Sequence, residues 1–261
     1  SIGKKMSVCL IYDKYTRQRG NVRIGTHKGR LQLMKLLSED KLGAASIDSV
    51  KLSDAKEWAI RMKEKGISYK TISNDKRSLK AAFYTAIQDD CIRKNPFDFQ
   101  LNTVIEDDTE PKVPLTPAQE ESFLSFAQND KVYQKYYDEL IILLGTGLRI
   151  SELCGLTDTD INFENRIINV DHQLLRSAET GYYIETPKTK SGIRQIPMSE
   201  KVYEAFNRVL KRRRGAKAVT IDGYSNFLFL NRDGYPKTAT NYDGMFRGLA
   251  KKYNKYLEEA L

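Results

Sequence analysis

Cysteine and histidine are scarce in this 261-residue chain, and their placement excludes several chemistries. Cys9, Cys91 and Cys154 are odd in number and share no close spacing, so neither a disulfide frame nor a zinc site is expected. They read as reduced core thiols of a cytosolic protein. With only His27 and His172, a histidine-based metal centre has almost no material. No apolar run approaches the ~20 residues that cross a membrane. The opening Ser1-Ile2-Gly3-Lys4-Lys5 lacks the apolar core of a signal peptide, and a serine in first place points to a processed or engineered end.

What is present is enough for real cores: 40% hydrophobic and 10% aromatic residues, in a length that favours two domains. The net charge of +9 is unevenly spread. Residues 1–105 carry 21 Lys/Arg against 11 Asp/Glu, and residues 106–261 carry 22 against 23. A basic first module on a nearly neutral second one points to docking on a polyanion, the plainer alternative being a solvated lysine-rich helical surface.

Apolar periodicity predicts helices over residues 7–18, up to about Ser38, over 54–65 with Ser53 as N-cap, and over 68–89. In the last of these Ile72, Leu79, Phe83 and Ala86 fall on one arc at ~100° per residue. The opposite face carries Asn74, Arg77, Ser78, Ala81, Tyr84 and Gln88, with Ser73 and Lys80 at its border. That face is small, polar and basic, which suits a DNA backbone. Residues 102–117, acidic and proline-containing, read as the linker between a helical domain at 1–101 and a second domain at 118–261. The second domain reads as helices from Thr116 through Asn129, over 131–144 and over 150–156. Strands are expected at 166–170, 182–186 and 194–197, with a turn at 188–192. A helix over 200–214 capped by Ser199, a short strand at 227–229 and a helix from Asn241 onwards complete it. The fold class is therefore mainly α: a helical domain, then a mixed α+β domain with a small antiparallel sheet.

The most informative phrase is Thr146-Gly147-Leu148-Arg149-Ile150-Ser151-Glu152-Leu153. An arginine opening an apolar helix is costly unless something anionic faces it, and a phosphate is the anion that best fits a rigid guanidinium fork. The structural alternative is a buried ion pair with Glu152 or Asp160.

With these elements in order, the chain resembles the tyrosine recombinases, specifically integrases of phages and conjugative transposons. TGLRISELCGLTDTDI (146–161) is similar to the segment holding that family's first catalytic arginine. TPKTKSGIRQIPMS (186–199) is similar to the hairpin holding its catalytic lysine, and residues 69–96 to the last helix of its core-binding domain. The resemblance implies that Arg149 holds a non-bridging oxygen of the scissile phosphate and that Glu152 orients the site. It makes Lys188, with Lys190 as rival, the general acid for the departing 5′ oxygen. It also implies strand exchange through a 3′-phosphotyrosine, without metal, ATP or other cofactor. The implied partners are duplex DNA and further protomers assembled on it, in a bacterial cytoplasm with no membrane attachment. Lys70, Thr71, Asn74, Arg77 and Lys80 are the candidate DNA contacts, followed by Thr26, Lys28 and Arg30; each has the alternative of a solvated side chain. The same holds for the basic run at 211–214, which also suits a helix C-terminus.

His172 falls where the family keeps no catalytic histidine, so packing or surface placement is expected. The family continues with a His-x-x-Arg motif and a nucleophilic tyrosine on a late helix, and neither is found here; Tyr253 and Tyr256 stand too early and read as ordinary aromatics. Residues 118–261 are thus expected to be the first part of a catalytic domain, unable to cleave DNA alone. Two alternatives remain at this point. One is a non-catalytic DNA-binding remnant acting as a dominant negative; the other is a relative of type IB topoisomerases, disfavoured by the short hairpin and the TGLRISEL phrase.

Overall fold

In a computed structural model of the chain, residues 6–20, 22–187, 189–213 and 219–259 are described. They form two compact units, Ser1–Val113 and Pro114–Leu261. The first contains α1 (Val8–Gln18), α2 (Ile24–Ser38), α3 (Lys41–Ala44), α4 (Leu52–Glu64) and α5 (Tyr69–Gln88). Ser7 and Ser68 cap α1 and α5 by accepting from Leu10 N and Thr71 N. One boundary and one additional helix differ from expectation. α4 starts at Leu52 because the carboxylate of Asp54, not Ser53, accepts the Lys51 N–H at 2.8 Å. The short α3, capped by the Asp40 carboxylate on Leu42 N, is too brief to show a period in the sequence.

The arc of Ile72, Leu79, Phe83 and Ala86 faces inward as the 3.6-residue period requires. It meets Trp58 and Phe97, whose rings pack edge to face at 5.8 Å. Each fully buried large side chain in such a core contributes roughly 1.5–3 kcal/mol. Leu101 and Ile105 belong to the same core, so packed structure extends into the stretch that composition marks as linker.

The second unit contains α6 (Pro117–Asn129), α7 (Tyr137–Thr146), α8 (Ile150–Gly155), α9 (Glu200–Arg213) and α10 (Ala239–Glu259). α6 opens with the expected Thr116 cap and Pro117. The helix expected from residue 131 begins only at Tyr137, after a 3-10 turn at Gln134–Tyr136. The antiparallel strands divide between two sheets. β1 (Ile161–Asn162), β2 (Ile167–Val170) and β5 (Arg194–Pro197) form one, in the order β1-β2-β5. β3 (Gln173–Ser177) and β4 (Gly181–Glu185) form the other, with Gln173 opposite Glu185. The segment after β4 is therefore a crossover between sheets, not a hairpin turn, because β5 pairs back with β2 through Val170 and Arg194. Residues 227–229 are buried and belong to no named strand: Phe227 makes an isolated bridge with Thr157, Leu228 N donates to Leu156 O, and Phe229 O accepts from Lys237 N. Their apolarity reflects core filling and not strand pairing.

Candidate functional site

The turn that presents Arg149 is built by Gly147. Its φ of +64° lies in the left-handed region that favours glycine, and its N–H closes α7 on Leu143 O at 3.0 Å. Leu148 is buried, and Arg149 follows as the N-cap of α8 with extended backbone. α8 lies so close to β3 that a Cβ on Gly155 would stand 3.0 Å from Leu174 N. This packing fixes the helix that carries Glu152.

Arg149 is held through Glu152 and not by burial. The Glu152 side chain is 6% exposed, that of Arg149 70%. Arg149 N donates to Glu152 Oε2 at 2.8 Å and its Nη1 to Oε1 at 2.7 Å. An unanticipated residue completes the cluster: Arg194 in β5 donates from Nη1 to Oε1 at 3.0 Å and from Nη2 to Oε2 at 2.8 Å. Burial alone would push the Glu152 carboxyl up; the hydrogen bonds from Arg194 and then Arg149 outweigh it and bring it down to about 2. Two guanidiniums thus share one carboxylate, and the cluster keeps a surplus positive charge. Asp160, the other acid considered for Arg149, instead accepts from Thr157 N and Oγ1, both at 2.7 Å.

A cleft of about 740 Å³ lies elsewhere in this unit, lined by Tyr136, Glu139, Leu228, Phe229 and Lys237 among others. Arg149 instead stands on open surface, where a duplex reaches more readily than a small molecule is enclosed.

Lys188 lies outside the described residues. Lys190 begins a 3-10 turn, Lys190–Gly192, ahead of β5. His172 packs: its Nδ1 meets Asp171 Oδ1 at 2.6 Å, its Nε2 meets Gly155 O at 2.7 Å, and Tyr224 covers the ring. Tyr253 donates to Ser122 Oγ at 2.8 Å and packs on Phe123 and Phe126, while Tyr256 is half exposed beside Phe126. Of the basic run at 211–214, Arg212 pairs with buried Asp138, Arg213 donates to Phe227 O, Lys211 is exposed, and Arg214 is outside the described residues.

In the first unit Lys70, Thr71, Asn74 and Arg77 are exposed along α5. Asn74 Oδ1 accepts from Arg77 Nη1 at 3.3 Å, and Lys80 is paired with Asp98 at 2.5 Å. Thr26 and Lys28 are exposed on α2. Arg30 turns inward, and its Nη1 donates to Thr16 O at 3.1 Å near the end of α1. Arg30 and Lys80 are the two candidate contacts that are only partly exposed.

Residues 114–260 match the profile of the phage integrase family. The chain belongs to that family. It is 64% identical over 260 residues to the transposase from transposon Tn916 of Enterococcus faecalis, which covers 100% of this chain and 64% of the relative. The chain thus spans just under two thirds of the length of that relative. Among solved structures it is similar to a Tn1549 transposon integrase in complex with transposon right end DNA, at 71% identity and a TM-score of 0.94, covering 98% of this chain and 81% of that one. A DNA-bound lambda integrase, at 14% identity and a TM-score of 0.61 over 95% of this chain and 79% of that one, shares the fold. Among the described residues no helix is long and apolar enough to cross a membrane.

Proposed function

We propose that the chain is part of a site-specific DNA recombinase that integrates or excises a mobile element by breaking and rejoining strands through a 3′-phosphotyrosine. The observation that carries this reading is the Arg149 guanidinium, anchored on a buried carboxylate yet open to solvent. Phosphoryl transfer builds negative charge on the non-bridging oxygens, and a preset guanidinium stabilises it without rearrangement. In this reading Arg149 holds the scissile phosphate and Glu152 orients Arg149. Lys188, or Lys190 two positions on, protonates the 5′ oxygen. Neither Tyr253 nor Tyr256 is the nucleophile. The names of the Tn916 and Tn1549 relatives support the same activity.

Residues 1–101 would be the core-binding domain, 102–117 the linker and 118–261 the catalytic part. Duplex DNA at element ends is the substrate, bound in the first unit through Lys70, Thr71, Asn74, Arg77 and Lys80, with Thr26, Lys28 and Arg30 contributing less. Several protomers assemble on paired sites in the bacterial cytoplasm, where Cys9, Cys91 and Cys154 stay as thiols. The chemistry requires no cofactor. No observation favours a non-catalytic remnant over this reading. The test is a nicked suicide duplex offered to a full-length protein bearing this chain. A covalent protein–DNA adduct is expected, and its absence overturns the proposal.

A further inference from the structure

Arg194 lies 42 positions beyond Glu152 in the chain, and its place is set by strand register. Antiparallel pairing puts it opposite Val170 at the end of β2. From there both terminal nitrogens reach the two oxygens of Glu152, at 3.0 and 2.8 Å, as a fork on a fork. Nη1 also lies 3.4 Å from the carbonyl of Gly192, which ends the turn Lys190–Gly192. One half-buried guanidinium, 30% exposed, therefore touches the carboxylate beneath Arg149 and the turn that follows Lys188.

The charges decide what this arrangement does. Glu152 and Arg149 alone would cancel, leaving a neutral pair with little attraction for a phosphate. Arg194 supplies the second positive charge and commits both ends of its fork to Glu152. Arg149 commits one Nη to the same carboxylate, so it is the guanidinium that can still offer a free edge.

We infer that Arg194 is a positioning residue for strand cleavage: it anchors and neutralises Glu152, so that Arg149 meets the scissile phosphate in fixed geometry with an uncancelled charge. The inference rests on the reading of Arg149 given above.

The experiment measures single-turnover adduct formation on a nicked suicide duplex, and duplex affinity separately, with a full-length protein bearing this chain. Arg194→Ala is expected to slow cleavage about a hundredfold, the order of loss that follows misplacement of a reacting group, while affinity barely moves. Arg194→Lys keeps the charge without the fork and should recover part of the rate. Because Arg194 acts through Glu152, the double variant Arg194→Ala/Glu152→Gln should cleave about as slowly as the slower of the two single variants. Independent roles would make the two losses multiply. Wild-type cleavage by Arg194→Ala, or a double variant in which the two losses multiply, overturns the inference.

If the unsubstituted protein forms no adduct, the recombinase reading fails by itself. Positioning is then decided on the DNA-free chain by carboxyl NMR titration of Glu152. Its midpoint, about 2, should rise by at least about one unit in Arg194→Ala, because the strongest hydrogen bonds favouring the carboxylate are gone. An unmoved midpoint overturns the anchoring role.

Discussion

Among the described residues the first unit buries one carboxylate, Asp40, gripped by Arg61 at 2.9 and 2.7 Å, whereas the second buries Asp138, Glu139, Glu152 and Asp160. The counts of charge run the other way. Residues 1–113 hold 22 Lys/Arg against 15 Asp/Glu, and residues 114–261 hold 21 against 19. The first unit thus displays a general excess of positive charge over a mostly apolar core. The second has little net excess, but these four of its acids are sunk in the core while several of the bases that answer them reach the surface. Arg208 and Arg212 both pair with Asp138 from α9, and Lys237 pairs with Glu139. Near-neutrality over a whole unit therefore conceals local positive surplus, and the Arg149–Glu152–Arg194 cluster is one such place. The first pattern suits loose, salt-sensitive attraction to any duplex; the second suits a fixed phosphate at one position.

The sharpest way to break this comparison is to remove the fixed site and leave the diffuse one. Arg149→Ala in the full-length protein is expected to lower adduct formation by about a hundredfold to a thousandfold, the usual cost of losing one transition-state donor, with duplex affinity nearly unchanged. A parallel fall in affinity would mean that Arg149 is part of the general attraction instead. Next in size is Lys237→Ala. Lys237 Nζ lies 2.6 Å from Glu139 Oε1 and over the Tyr136 ring, while the fully buried Tyr242 hydroxyl donates to Oε2 at 2.6 Å. Removing the lysine leaves a buried carboxylate with one neutral donor, and chemical denaturation should show a loss of about 3 kcal/mol.

Acid supplies a third test. Glu152 titrates near 2 in the fold against an ordinary 4.5, so its ion pairs stabilise the protein fully above about pH 4.5 and lose that contribution as pH falls towards 2. The stability gap between wild type and Glu152→Gln, measured by denaturation, should be wide at neutral pH and close by about pH 2. A gap that stays constant with pH would show that packing, not charge, separates the two.

What the sequence makes legible follows the range of the interactions. Helices of α5 and α6 type are readable because period and caps are local: Ile72, Leu79 and Phe83 recur on one face, and Thr116-Pro117 marks a start. The Thr146–Glu152 phrase is readable because glycine, arginine and acid sit within one turn. Arg194 is not readable as a partner, since only the β2–β5 register brings it to Glu152. The one available signal is a charged residue at the start of a half-buried strand. The division into two sheets is hidden for the same reason, because the link from β4 to β5 resembles a hairpin turn in sequence. In the first unit Arg30 looks like any surface arginine until the end of α1 is placed beside it.

The remaining tests concern the diffuse charge of the first unit. Arg77→Ala/Lys80→Ala should weaken duplex binding and reduce the slope of log affinity against log salt by roughly one for each phosphate that is no longer neutralised. An unchanged slope would remove this face of α5 from the interface. The smallest effect is expected at Asp98, and it is the more discriminating one. Lys80 Nζ lies 2.5 Å from Asp98 Oδ1, and the pair raises the lysine pKa and lowers that of the carboxyl, each chiefly through the shared hydrogen bond. Both side chains are partly or largely open to solvent, so the pair itself adds little to stability. A phosphate approaching α5 must compete with that carboxylate for Lys80. Asp98→Asn relieves the competition, and duplex affinity at low salt should rise slightly, with the advantage fading as salt screens both partners. If Asp98→Asn instead weakens binding, the carboxylate is holding Lys80 in the pose that DNA requires, and the first unit also contains a fixed contact of the kind seen at Glu152.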